Sequence, residues 1–391
     1  MSNSFKTFLK HTAKDFHNQS VNPPVVRAST IIFKSMQDIR KTQAKAIKNP
    51  TGGHYDYGRQ GTSTTYILQK ILTKLEESYH VFTTPTGFGA VFLAIFSVTR
   101  PGDEIIVADP VYSPTRILTE NFLKEFNIKT TFYDPHDLKT LEKSITKKTK
   151  LIFVENPGSN SFDFQDLGKI VSIAKKHKIL SAMDNTWGTP YFLKPIKLGF
   201  DMAIVSATKY YSGHSDVMGG SLAVNKKVFP KVKAAERITG LRLGPDDAYL
   251  ITRGLRTLDV RLDRHRENAK KVAEFLSKNK KFKLLYPYKK DSYNFRMWKK
   301  YYSGASGLMG VQIKSKNVNS IRKFVNSLKL FGYGYSWGGF ESLALHQEFR
   351  ETGKRKYLKL KKDEHLVRFH IGLEDPSDLI ADIKQALKHL K

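Results

Sequence analysis

The chain has 391 residues, enough for two substantial hydrophobic cores, and 40% of them are hydrophobic, which excludes a disordered chain. It has no cysteine, so disulfides, thiolate metal sites and a cysteine nucleophile are all ruled out. Lys and Arg number 66 against 36 Asp and Glu, and the formal charge of +30 favours anionic partners.

The first stretch, MSNSFKTFLKHTAKDFHNQ, lacks the continuous apolar core of a signal peptide, so a cytoplasmic location is expected. Val21 to Phe33 (VNPPVVRASTIIF) joins a proline pair to an extended apolar run, and Gly52 to Gly61 (GGHYDYGRQG) reads as a loop. Residues 1–62 therefore read as an arm rather than a domain. Ser63 to Tyr66 can cap a helix that puts Ile67, Leu68, Ile71, Leu72 and Leu75 on one face.

Residues 63–255 alternate short apolar strands with helices. Glu104 to Ala108, Leu151 to Glu155, Leu180 to Asp184, Ala203 to Ser206 and Ser221 to Val224 read as strands; Gly87 to Val98 and Asp166 to His177 read as helices. This order predicts an α/β domain with a mostly parallel sheet and functional residues at strand ends. The apolar run Ala90 to Val98 is too short to cross a bilayer, and no membrane partner is expected.

One long helical pattern, Asp247 to Ser277, leads into a smaller α+β domain over 256–391. It contains strands at Leu308 to Ile313 and Leu366 to Ile371 and helices at Val318 to Leu328 and Pro376 to Leu390. Asp375 can cap the last of these, with Pro376 in the first helical position. The basic runs Lys278 to Lys290 and Lys354 to Lys362 match no nucleic-acid-binding pattern and read as solvated faces, so no nucleic-acid partner is expected.

The chemistry concentrates in Ser206 to Gly220, SATKYYSGHSDVMGG. Lys209 follows an apolar strand, with hydroxyls at Ser206 and Thr208. Asp184 closes the strand LSAMD and can hold a pyridinium nitrogen protonated. A reactive amine, phosphate-binding hydroxyls and a carboxylate one or two strands away are what a phosphorylated pyridine aldehyde requires. Thr86, Gly87 and Phe88 open an apolar helix whose free amides suit a phosphate. Tyr112, in DPVYSPT, can stack on the ring. His214 and Asp216 could mimic a metal pair, but a third ligand at fixed spacing is missing; a turn is the better reading, and no metal is expected. His54 and His370 carry no signal of their own.

From VNPPVVRASTIIF through HYDYGRQGTST, DNTWGTPYF, SATKYYSGHSDVMGG and RGLRTLDVRL to YSWGGFESL and RFHIGLEDPSDLIADI, the chain resembles the Cys/Met-metabolism family of pyridoxal 5′-phosphate (PLP) enzymes. The resemblance implies fold type I, with a mostly parallel seven-stranded sheet and a smaller α+β C-terminal domain. It implies the same roles for Lys209, Asp184, Tyr112, Gly87, Phe88, Ser206 and Thr208. It adds Tyr57 and Arg59, which in the family reach the phosphate of a neighbouring subunit, in a homotetramer built as a dimer of dimers with shared active sites.

An amino-acid substrate needs a partner for its carboxylate, and Arg368 in LVRFHIG resembles the family's residue for it, with Tyr335, Ser336 and Trp337 beside it. The γ-lyases and γ-synthases of the family carry Glu-Ser-Leu before GGFESL. Tyr335, Ser336 and Trp337 instead resemble the cystathionine β-lyases, and imply α,β-elimination from L-cystathionine. Side reactions on L-cysteine and racemisation of alanine are chemically open to the same site. Cystathionine γ-lyase, γ-synthase or methionine γ-lyase activity is the alternative within the family.

Overall fold

The central strands of the large sheet are nearly continuous aliphatic runs (EIIVA, LIFV, AIV), the composition of strands covered on both faces rather than one. The computed structural model describes residues 4–12, 20–288, 290, 292–347, 355–357 and 360–390. The strands are β1 (His80–Thr84), β2 (Glu104–Ala108), β3 (Lys129–Tyr133), β4 (Thr149–Glu155), β5 (Leu180–Asp184), β6 (Met202–Ser206), β7 (Gly220–Val224), β8 (Phe282–Leu285), β9 (Leu308–Lys314), β10 (Leu343–Gln347) and β11 (Glu364–His370). The first seven form one sheet in the order β1-β7-β6-β5-β4-β2-β3, and the last four a second in the order β10-β11-β9-β8. β2 to β6 pair in parallel, whereas β7 is antiparallel to both of its neighbours. The smaller sheet is antiparallel throughout.

The larger core packs Leu68, Ile71, Leu72 and Leu75, the expected face of the Ser63–Leu75 helix, beneath the seven-stranded sheet. That helix starts where the Thr62 N–H donates to Thr65 Oγ1 at 2.9 Å. The smaller core places Ile321, Phe324, Leu379 and Ile383 against Met309, Val311, Val367 and Phe369 of the second sheet. Asp375 caps the Pro376–Ala386 helix by accepting from the Ser377 N–H at 2.8 Å. Among the described residues no helix is long and apolar enough to cross a membrane. Parts of both basic runs, residues 289, 354, 358 and 359, lie outside the described residues.

Two expectations change. The arm contains a 13-residue helix, Met36–Lys48, whose composition is polar on average and none of whose residues is buried within the chain. The pattern from Asp247 to Ser277 is two helices, Pro245–Leu255 and Leu258–Ser277, parted at Arg256 and Thr257. The break has a cause in the buried Arg261 side chain. Its Nη2 donates to the Gly254 carbonyl at 2.7 Å, its Nε to Thr257 Oγ1 at 3.0 Å, and its Nη1 to the Tyr210 carbonyl at 2.8 Å. It thus takes an acceptor that a continuous helix would use and ties the break to the loop after Lys209.

Replacing Arg261 with Met takes the donor from the Tyr210 carbonyl, at roughly 1–3 kcal/mol, while the Gly254 carbonyl still accepts the Thr257 N–H at 3.1 Å. The chemical-denaturation midpoint of Arg261→Met should fall by the equivalent of about 1–3 kcal/mol, and an unchanged midpoint would show that the brace contributes nothing.

Candidate active site

Because β2, β4, β5 and β6 run parallel, their C-terminal ends share one edge of the sheet, and the residues that close them meet there. Asp184 ends β5 and Ser206 ends β6. The loop after β2 carries Tyr112. Lys209 sits on the turn beyond β6, where its N–H donates to the Ser206 carbonyl at 3.1 Å.

The electrostatics of the four groups converge. Burial lowers the Lys209 ammonium to about 8, the nearby Arg368 guanidinium pushes the same way, and the Asp184 carboxylate opposes both. Burial raises Asp184, while the Thr186 N–H and hydroxyl, donating to its Oδ1 at 2.9 and 2.6 Å, hold it down. The Tyr112 phenol is raised by burial and then by the charges of Glu155 and Asp184, so it keeps its proton at neutral pH. Arg368 is lowered by burial and feels both Tyr112 and Tyr335.

The smaller domain closes over this edge. Lys209 Nζ donates to Ser336 Oγ and lies 5.3 Å from the centre of the Trp337 ring. Arg368, on β11, donates to the Ser336 carbonyl at 3.0 Å. The loop fits only because of its backbone: Ser336 and Gly338 have φ of 78° and 90°, and a Cβ on Gly338 would stand 3.0 Å from Lys209 Cβ. On the opposite side the Gly87–Phe96 helix begins under Thr86, whose Oγ1 accepts from the Gly89 N–H at 2.9 Å. A Cβ on Gly87 would come within 2.4 Å of Ser206 Oγ, so only glycine lets this helix end approach β6. The amides of Gly87 and Phe88, the helix dipole and Ser206 make a cradle suited to a phosphate.

Not every expected residue joins this group. The Thr208 hydroxyl is engaged with Gly219, donating to its carbonyl at 3.2 Å and accepting from its N–H at 3.0 Å. Tyr57 and Arg59 lie on the arm, where Arg59 Nη1 donates to the Arg237 carbonyl at 3.3 Å and the guanidinium stands 5.8 Å from the Tyr57 ring centre. Tyr335 is 88% exposed at the rim. His214 Nδ1 is 2.6 Å from the Ser212 carbonyl, as a turn residue would be. Among the described residues no group of three or more His, Asp or Glu is placed to hold a metal.

Three residues were not anticipated. His370 is fully enclosed, and its Nε2 accepts from the Gly338 N–H at 3.1 Å, supporting the loop that carries Ser336 and Trp337. Glu155 closes β4 as Asp184 closes β5, so the reasoning that singled out Asp184 applied to it equally. Arg355 comes from a lysine-rich stretch in which nothing local distinguishes it.

A lysine whose proton is easily lost, a buried carboxylate, an anion cradle and an arginine-lined rim at the end of a parallel sheet suit the aldehyde, the ring nitrogen and the phosphate of PLP. The fold and the site define a PLP-dependent enzyme of fold type I. The sequence model of the Cys/Met metabolism PLP-dependent enzymes matches residues 6–388, and the chain belongs to that family. It is 36% identical over 370 residues to a cystathionine β-lyase of Bordetella avium, with 94% of this chain and 92% of the relative covered. It is 35% identical over 379 residues to an L-alanine/L-glutamate racemase of Wolbachia pipientis, covering 95% and 93%. Among solved structures, a cystathionine γ-synthase of Xanthomonas oryzae, in complex with aminoacrylate and cysteine, superposes with a TM-score of 0.89 at 27% identity, covering 100% of this chain and 99% of the other.

An amine attacks an aldehyde only when neutral. Covalent capture of PLP by the apo-protein, trapped with borohydride, should therefore accelerate as pH rises through about 8 and then level off. A capture rate still climbing towards pH 10 would mean that Lys209 keeps an ordinary lysine proton affinity, and Lys209→Ala should trap nothing.

Proposed function

We propose that the protein breaks the Cβ–Sγ bond of L-cystathionine, giving L-homocysteine, pyruvate and ammonia, as a step in methionine synthesis. The observation that carries this reading is the Tyr335-Ser336-Trp337 loop packed against Lys209, with the Trp337 ring 5.3 Å from Nζ. A carboxylate at the first of these positions could pair with the substrate's distal ammonium and hold it for γ-chemistry. Tyrosine removes that charge, and the indole narrows the pocket on the side of the thioether.

When bound, PLP supplies the electron sink that lets the Cα–H bond break. The chain's residues do the rest. Asp184 holds a proton on the ring nitrogen. The Gly87 and Phe88 amides and Ser206 take the phosphate, together with Thr208 once its hydroxyl turns from Gly219. Arg368 binds the substrate carboxylate through its planar fork. Lys209, freed by the incoming amine, removes the Cα proton and returns it to the departing thiolate at Sγ. Tyr112, its phenol protonated, stacks on the ring. Tyr57 and Arg59 complete the phosphate site of a neighbouring copy, in a cytoplasmic homotetramer.

A second reading is supported by the racemase relative. Alanine has no leaving group at Cβ, so a Cα proton taken by Lys209 from one face can only be returned, and Tyr112 carries a proton near the other face.

L-Cystathionine added to the PLP-loaded protein should yield homocysteine with pyruvate; cysteine with 2-oxobutyrate would overturn the assignment of the loop. Lys209→Ala should lower turnover by about 10²–10⁴ or more, and an appreciable residual rate would remove Lys209 as the base. Long incubation with L-alanine should produce D-alanine detectable by chiral chromatography; its absence would dispose of the second reading.

A further inference from the structure

Two carboxylates stand side by side at the C-terminal edge of the large sheet, since Glu155 and Asp184 are register partners in the parallel pair β4–β5. One of them suffices for a ring nitrogen. The other, in the reading given above, touches neither cofactor nor substrate, and a buried carboxyl group is retained at such a place only where it is bonded.

The side-chain bonds of Glu155 lead to two adjoining loops, those after β2 and β4. Its Oε2 accepts the Tyr112 N–H at 2.6 Å, and the Ser159 hydroxyl donates to the same carboxylate. Tyr112 stands at the N-terminal boundary of the short Ser113–Ile117 helix, so its backbone position decides where its half-exposed ring points. Ser159 in turn donates its N–H to the Pro110 carbonyl at 2.6 Å, joining the loop after β4 to the loop after β2.

The same pair of loops is gripped by a segment remote in sequence. Arg355, buried to 6% exposure, donates from Nη2 to the Ser159 carbonyl at 2.8 Å. The next two backbone amides, of Lys356 and Tyr357, donate to the two carboxylate oxygens of the fully buried Asp109 at 3.1 and 3.0 Å. Arg116 Nη2 donates to Asp109 Oδ1 at 2.6 Å. Burial and the neighbouring Asp184 charge favour the neutral form of Glu155, while the Tyr112 N–H, Arg355 and Ser159 oppose them. The segment 109–112 is thus held at Tyr112 by Glu155 and at Asp109 by the Lys356 and Tyr357 amides, while Arg355 holds the adjoining loop at Ser159.

We infer that Glu155 is the positioning residue for Tyr112, through the hydrogen bond to its backbone, and that Arg355 locks the loop pair on which that bond depends. The inference rests on the reading that Tyr112 stacks on the cofactor ring, but not on which carbon–sulfur bond is broken. It gives the Arg355 segment a task in the site: with this clasp closed, the stacking ring is aimed; with it open, the ring is free to swing.

The test compares the PLP-loaded wild type with Glu155→Ala, Glu155→Gln and Arg355→Met. Its readouts are the induced circular dichroism of the bound cofactor, the PLP dissociation constant, and the split of kcat against KM on the substrate the wild type turns over. Glu155→Ala should lose about half or more of the cofactor dichroism, bind PLP about tenfold more weakly and lose kcat more than KM, as expected for one lost hydrogen bond. Glutamine keeps an oxygen that can accept the Tyr112 N–H, so Glu155→Gln should recover the dichroism and the PLP affinity to within about threefold. Arg355→Met should change the dichroism in the same direction as Glu155→Ala by a smaller amount, and it serves as the test should Glu155→Ala not fold. Unchanged dichroism in Glu155→Ala or in Arg355→Met would overturn the inference. So would a Glu155→Gln protein that melts like the wild type yet is as impaired as Glu155→Ala, because charge rather than the hydrogen bond would then matter. Products from the wild type other than homocysteine and pyruvate would remove the β-lyase reading and leave this comparison intact.

Discussion

An ammonium group enclosed between a carboxylate and a guanidinium is the constraint around which the chain is arranged. In water the Lys209 ammonium would hold its proton; here burial and Arg368 lower its affinity while Asp184 limits the fall. None of the three effects is local. Asp184 arrives on β5, Lys209 on the turn after β6, and Arg368 on β11 of the other sheet. The two sheets must meet at this edge for the amine to have the chemistry it has.

The packing around the edge follows from that requirement. Glycine at 87 lets a helix end come up against Ser206, and Gly338, in a left-handed conformation, lets the Ser336–Trp337 loop lie on Lys209. His370 holds that loop through the Gly338 N–H, and Arg261 ties the chain after Lys209 to the break between two helices. These supporting residues are buried polar groups with defined partners, the arrangement that makes a site rigid rather than merely present.

Much of this was legible in the sequence, and the pattern of what was not is physical. The interior strands β2, β4, β5 and β6 were recognised within a residue or two, because strands buried on both faces need unbroken apolar runs. The strands that went unnoticed, β1, β3, β8 and β10, are the four edge strands of the two sheets. Three of them, β3, β8 and β10, are covered incompletely and carry a weaker signal, so that KTTFY and LALHQ could pass for loop; β1 is buried throughout but reads HVFTT, with polar residues in place of an aliphatic run. The Met36–Lys48 helix is polar on average, and its few apolar residues make no continuous run.

The sequence by itself determined the local patterns: a lysine after an apolar strand, a carboxylate closing a neighbouring strand and a glycine opening an apolar helix, the residue types that suit the functional groups of PLP. Only the tertiary structure decided which groups act on one another. It brought Arg368 and Trp337 to Lys209, left the Thr208 hydroxyl on Gly219, and set Glu155 and Arg355 around the loop of Tyr112. Proton affinity and ring orientation depend on burial and on distances of a few ångströms between segments far apart in the chain, and such distances have no signature in sequence spacing.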